Sequence, residues 1–246
     1  MCTLILLNRP GHRWPVLVAA NRDELASRPA RPPARHWPDR REVRAGLDCL
    51  AGGSWLGLND WGVVAAVLNR VGTLGPAEGR RSRGELVLEA LDHADAAAAA
   101  AALSDLDPRA FRPFNLIVAD ARDTFHLRHA DDGELRVRRL GPGLTMVTAR
   151  EPDDPACPRI RRYRPLFLEA DAPDPDRGDW SGWQLLLASR SSASGDPRDA
   201  LCIVTDGDYG TVAASLIALP ADPGTRPVFL HAQGRPDATP FEPVLN

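Results

Sequence analysis

Cysteine at position 2 is the residue whose type and place speak most directly of chemistry. Initiator methionine is removed when the next residue is small, so the mature chain is expected to begin with Cys2. A terminal cysteine holds nucleophile and base on one residue. Its thiol titrates near ~8.5 and an α-amine near ~7.7–8.0, so the free amine can take the thiol proton, directly or through water. That is the logic of an N-terminal nucleophile, and it needs no histidine. The plainer alternative is that Cys2 packs as a small apolar side chain. Polar groups gather next in Asn21-Arg22-Asp23-Glu24, directly after an apolar run. Arg22 beside a thiol would stabilise the thiolate and lower its pKa. The Asp23 carboxylate would hydrogen-bond and orient the terminal ammonium. The alternative for such a tetrapeptide is a solvated loop with a routine ion pair.

Those residues need elements to hold them. Residues 2–7 are apolar enough for a buried strand, 9–12 read as a turn and 15–20 as a second strand, together a hairpin. A short-turn hairpin lays the end of its second strand beside the start of the first, which brings Arg22 and Asp23 to Cys2. Residues 27–41, crowded with Pro and Arg, read as an exposed loop. Residues 52–59 and 61–69 read as a strand pair turning at Asn59-Asp60. Ser82-Arg83-Gly84-Glu85 has capping-box spacing, and a helical pattern continues from it through the alanine run 96–102 to stop before Asp107-Pro108. Segments 114–120, 124–130, 135–140 and 144–148 read as antiparallel strands. Helices are expected over 160–170 and 180–189, and closing strands over 201–204, 212–219 and 228–231. Strands at both ends, helices between them and hairpins in place of βαβ units indicate one layered antiparallel α+β domain over 1–246.

Met1-Cys2-Thr3 followed by Asn21-Arg22-Asp23-Glu24 resembles the NRDE family, also called the transport and Golgi organisation 2 family. So do Gly52-Gly53-Ser54-Trp55-Leu56-Gly57, Gly62 to Asn69-Arg70, Ser82-Arg83-Gly84-Glu85-Leu86, Phe114-Asn115-Leu116 and Asp208-Tyr209-Gly210-Thr211. The likeness covers most of the chain and weakens after about residue 145. It implies an N-terminal-nucleophile hydrolase-like fold, a four-layer αββα sandwich of two antiparallel sheets. It also sets the chain beside acylases that cleave amide bonds with a terminal cysteine. By that resemblance Cys2 is the nucleophile, Arg22 and Asp23 flank it, and Asn69 supplies an oxyanion donor of a kind worth ~3–4 kcal/mol. Without the family context Asn69 would equally well satisfy a turn. Two positions depart from the pattern: Val147-Thr148-Ala149 stands where Leu-Ser-Asn is usual, and Val212 where an Arg follows Tyr-Gly-Thr. Either Arg150 or another arginine covers the lost guanidinium, or the site has passed from chemistry to binding.

The expected function is hydrolysis of a small acylated substrate, with Asn21 and Trp55 as substrate contacts. The alternative is a non-catalytic carrier of haem, acyl-CoA or another apolar anion on the same scaffold. No cofactor is expected, haem entering only as a ligand. No metal is expected either, because His126 and His129 would fall on opposite faces of a strand. Cys157-Pro158 suits a helix start as well as a haem-responsive dipeptide. Trp55 and Trp61 bracket a glycine-rich turn and could line an apolar pocket or sit in an ordinary core or rim. The Arg-rich stretch 28–44 is broken by prolines and carboxylates and reads as a solvated loop.

Composition narrows the classes. The chain has 246 residues, 43% hydrophobic and 26% charged, with a net charge of −3, which excludes wholesale disorder and a basic nucleic-acid-binding field. All 30 basic residues are Arg, so lysine Schiff-base and P-loop lysine chemistry are excluded. Four cysteines without CxxC spacing indicate a reducing compartment. With no signal-peptide pattern and no apolar run of membrane-spanning length, a soluble cytoplasmic protein is expected. Oligomeric state leaves no trace in the sequence.

Overall fold

The computed structural model describes residues 2–245, so the expectation that Met1 is removed lies outside the described residues. Along the chain run β1 (Thr3–Asn8), β2 (Val16–Leu25), β3 (Ala30–Ala34), β4 (Val43–Asp48), β5 (Leu56–Asn59) and β6 (Val64–Asn69). Two helices follow, α1 (Gly84–Leu91) and α2 (Ala96–Ser104), then β7 (Phe114–Ala119), β8 (Thr124–His129), β9 (Leu135–Arg139) and β10 (Gly143–Val147). Helices α3 (Pro158–Glu169) and α4 (Ser181–Leu187) precede β11 (Tyr209–Leu219), β12 (Val228–Ala232) and the short β13 (Glu242–Pro243).

Several boundaries differ from the sequence reading, each for a physical reason. Asn21 to Glu24 do not follow the second strand but belong to β2, which stays paired to Leu25 because β11 continues alongside it. Residues 30–34 form a strand, β3, and not a loop. It lies at a sheet edge, where proline's missing N–H is tolerated. The strand β4 was not anticipated, since Val43 to Asp48 mixes Arg, Gly and Asp into its pattern. The long helix is broken in two. Asn59 Nδ2 caps the end of α1 by donating to Leu91 O and His93 O, and Asp95 caps α2 by accepting from Ala98 N–H. Only half the capping box forms: Glu85 accepts the Ser82 N–H at 3.1 Å, while Ser82 Oγ accepts from Gly84. Residues 201–204 are irregular and not a strand. Their backbone is held by side chains, with Asn21 Nδ2 donating to Leu201 O and Ile203 N–H donating to Thr211 Oγ1.

Two compact units result: one is the chain up to Ser27 together with everything from Pro142 onward, the other Arg28–Gly141. The first contains a six-stranded antiparallel sheet in the order β10-β1-β2-β11-β12-β13. Alternation on its strands sends Ile5, Leu17, Ala19, Leu216 and Ala218 to the face that packs on Ile160, Tyr163 and Phe167 of α3 and Trp183 and Leu187 of α4. Leu4, Val18, Ala20 and Ser215 are on the other face. The second unit contains a seven-stranded antiparallel sheet, β3 to β9 in sequence order. Val43, Ala65, Leu116, Val118 and Leu127 on one of its faces pack against Leu86, Val87, Leu91, Ala99 and Leu103 of α1 and α2. Glycines make that packing possible. A Cβ on Gly53 would lie 2.5 Å from the Gly84 backbone at the start of α1, and one on Gly46 would lie 2.3 Å from the Trp55 ring. Among the described residues no helix is long and apolar enough to cross a membrane.

Candidate active site

Pairing of Thr3 with Asn21 puts Cys2, one residue before β1, across from Arg22. The Cys2 sulfur rests on the backbone of the next residue: Asp23 N–H donates to Sγ at 3.4 Å, and Sγ lies 3.6 Å from Asp23 O. Burial pushes the thiol pKa up, the Asp23 charge pushes it further, and Arg22 only partly opposes them. Arg22 does lower the thiol pKa, as expected, but its pull is outweighed by desolvation.

Successive side chains of β2 point to opposite faces, so Arg22 and Asp23 do different work. Asp23 faces the helices. Its carboxylate meets Arg159 of α3, Nη1 to Oδ2 at 3.1 Å, and accepts a hydrogen bond from Thr211 Oγ1 at 2.6 Å. The same guanidinium donates to Thr3 Oγ1 and to Arg198 O. Both side chains are essentially out of water, at 1% and 0% exposure, so each charge depends on the other. Sequence reasoning missed Arg159. The readable signal was a charged residue on the helix stripe that includes Ile160, Tyr163 and Phe167. Arg159 brings a guanidinium to the end of β2. Val212, the departure on β11, is the extra residue of a bulge, since Thr211 pairs with Asp23 and Ala213 with Arg22.

Arg22 lies on the opposite side, where its charge reaches both Cys2 and His231. His231 of β12 is buried, its Nδ1 2.9 Å from Ser215 Oγ across the strand pair. Burial, with the nearby Arg22 cation, lowers its pKa to about 4, so the ring is neutral at physiological pH. Tyr209, at the head of β11, is held protonated by burial and by the neighbourhood of Cys2 and Asp23.

Asn21, expected as a substrate contact, is buried, and its amide nitrogen bridges Leu187 O and Leu201 O at 3.0 Å each. It is a strut between β2, α4 and the segment before β11. Asn69 and Trp55 belong to the other unit. Asn69 closes β6 opposite Phe114, half-buried, and the next residue donates from Arg70 Nη1 to the fully buried Asn115 Oδ1 at 2.7 Å. The Trp55 ring lies against Gly46, and Trp61 is 53% exposed. Cys157 is the residue at the start of α3, buried with Sγ 3.5 Å from Thr148 Oγ1. His126 bonds Asn115, and His129 bonds Glu134 O.

A family model described as Transport and Golgi organisation 2 matches residues 1–222. The chain belongs to that family. Within the Transport and Golgi organisation 2 family, the homologue from Bos taurus is 38% identical over 110 residues, and that from Homo sapiens 34% over 108. Each match covers 43% of this chain and 38% of the relative, well under half of the curated proteins' length. Solved structures of similar fold include the Caenorhabditis elegans orthologue of N-acylethanolamine-hydrolyzing acid amidase. It has a TM-score of 0.62 at 14% identity, over 91% of this chain and 94% of that one. A variant of conjugated bile acid hydrolase from Clostridium perfringens gives a TM-score of 0.54 at 12% identity, over 100% and 97%. This member of the Transport and Golgi organisation 2 family thus has the α+β N-terminal-nucleophile hydrolase-like fold, with its two antiparallel sheets.

Proposed function

We propose that the chain is an N-terminal-cysteine amidohydrolase acting on a small acylated substrate. The observation that carries this reading is the Cys2 sulfur seated on the Asp23 backbone at the head of β1, within the field of Arg22. The fold shared with an amidase and a bile acid hydrolase agrees with it. In the proposed reaction the thiol gives its proton to the freed α-amine of Cys2 and the sulfur attacks the amide carbonyl. The C–N bond breaks as that proton passes to the leaving amine. Water, deprotonated by the same α-amine, then cleaves the thioester and restores the thiol. Because burial holds the thiol protonated, the chemistry needs that base, and removal of Met1 supplies it. Asn69 is the proposed oxyanion donor; Asn69→Ala should lower kcat by about 10²–10³-fold with little change in KM. A cytoplasmic setting is part of the same proposal and rests on four free thiols.

A second reading, a non-catalytic carrier of haem or acyl-CoA, is favoured by the same raised thiol pKa and by the commitment of Asp23 to Arg159. Intact mass before and after iodoacetamide, combined with hydrolysis of an N-acyl amide, separates the two. The enzyme predicts a chain lacking Met1, rapid alkylation of Cys2 near neutral pH and loss of hydrolysis in Cys2→Ala. Retained Met1, or activity indifferent to Cys2→Ala, overturns it. Haem or acyl-CoA affinity unchanged in Cys2→Ala, with no acyl-enzyme by mass, supports the carrier.

A further inference from the structure

We propose that Asp237 is a positioning residue for the Cys2 centre, acting through the Cys202 thiol and the backbone on either side of it, an inference that rests on the amidohydrolase reading. Asp237 stands in a turn after β12, closed by the Ala238 and Thr239 N–H groups, which both donate to Arg235 O. Its carboxylate, 12% exposed, is held by Arg190 Nη2 and by Arg235 Nε, the latter at 3.1 Å. It also accepts a hydrogen bond from Cys202 Sγ at 3.3 Å. Cys202 is buried, and its own N–H donates to Ser189 O at 2.9 Å. Burial, then the hydrogen bond and charge of Asp237, push this thiol's pKa up to about 12. The thiol therefore keeps its proton: it is a poor nucleophile and a constant donor.

The two neighbours of Cys202 reach the centre through their backbone. On one side Leu201 O accepts from Asn21 Nδ2 at 3.0 Å. On the other, Ile203 N–H donates to Thr211 Oγ1 at 2.8 Å, and Ile203 O accepts from Thr211 N–H at 3.0 Å. A hydroxyl has one proton to give. By donating to Thr211 Oγ1, Ile203 leaves that proton for Asp23 Oδ1, 2.6 Å away. Asp23 N–H in turn donates to the Cys2 sulfur. Residues 201–203 thus hold Asn21 and Asp23, on both sides of Arg22. With no sheet ladder across 201–204, the backbone at Cys202 depends on Ser189 O and Asp237 for its place. All of these residues lie in the unit that contains Cys2.

The test reads position and turnover separately. In the full chain Cys202→Ala removes the donor and Asp237→Ala the acceptor, and both are compared with the parent and the double variant, the melting temperature serving as the folding control. The Ile203 and Thr211 amides should exchange hydrogen about tenfold faster in either single variant, with that of Leu216, in the middle of β11, unchanged. Hydrolysis of an N-acyl amide should lose about tenfold in kcat with KM altered less than about twofold. The double variant should be no slower than the slower single, because both remove one contact. Unchanged exchange at Ile203 overturns the proposal, as does faster exchange with kcat intact, the result expected of a purely structural bond. Losses that multiply in the double variant overturn it too. If Asp237→Ala does not fold, Cys202→Ala, which removes only the sulfur, decides. A parent chain that gives neither hydrolysis nor an acyl-enzyme mass defeats the amidohydrolase reading instead. The positioning claim is then decided by exchange and by Cys2 alkylation, which either variant should quicken about threefold or more as the sulfur loses its seat; an unchanged rate overturns it.

Discussion

Arg159 and Asp23 form an ion pair taken wholly out of water, so neither tolerates loss of the other. Arg159→Met should lower the unfolding free energy by about 3–5 kcal/mol, because it strands a carboxylate in an apolar setting. Adding Asp23→Asn should restore most of that loss, and urea unfolding of the two variants measures the coupling. A full loss in the double variant would mean that the pair is not the source of the effect. His231 sets a pH dependence of opposite character. Its pKa is about 4 in the fold and ~6.5 when unfolded, so between those values only the unfolded chain takes up the proton. Stability should be fully present above ~6.5 and fall as pH drops toward 4, by roughly 3 kcal/mol in all from this group. His231→Gln should flatten the slope of unfolding free energy against pH over that window. The neighbourhood of Cys2 and Arg22 was legible because a hairpin brings the two together. Arg159 was not, because its partner lies 136 residues away and nothing local announces it. The structural role of the Asn21 amide nitrogen was hidden for a similar reason. A polar side chain next to a reactive one looks functional until distant carbonyls are seen to occupy it.

At the level of elements, the glycine-rich motif around Trp55 is explained by packing. Gly53 meets Gly84 so closely that Gly53→Ala should displace the start of α1 and lower stability by about 1–3 kcal/mol in a thermal or urea melt. Asp95→Ala removes the cap of α2 and should lower it by about 1 kcal/mol. Most strands were legible from short apolar runs between turn residues, and α3 and α4 from their length and periodicity. The elements that were missed share a physical cause. β3 is an edge strand built from Ala, Arg and Pro, and β4 has a weak pattern; each is a strand because its neighbours supply hydrogen bonds. Residues 201–204 fail in the reverse sense. They are apolar enough for a strand but are held by Asn21 and Thr211 side chains in place of a ladder. The unbroken helix expected from Ser82 to just before Asp107 is divided because Asn59, at the end of β5, binds the carbonyls at its midpoint.

For the molecule as a whole, the lysine-free composition makes the terminus chemically unique. An amine-reactive ester should add one label per chain, and after Met1 removal that label should sit on Cys2 and abolish hydrolysis. A single label with hydrolysis undiminished would exclude the α-amine as base. The sheet that carries Cys2 also draws on both ends of the sequence. β1 and β2 precede the other described strands, yet Thr211, which holds Asp23, lies 188 residues further on, and β11 is the strand that closes on β2. During synthesis the β1–β2 hairpin therefore emerges long before β11 exists, and the thiol's surroundings are incomplete until that strand is made. Until β11 docks, Asp23 lacks its Thr211 partner, so the setting of the Cys2 sulfur and the closing of the sheet are completed in one event.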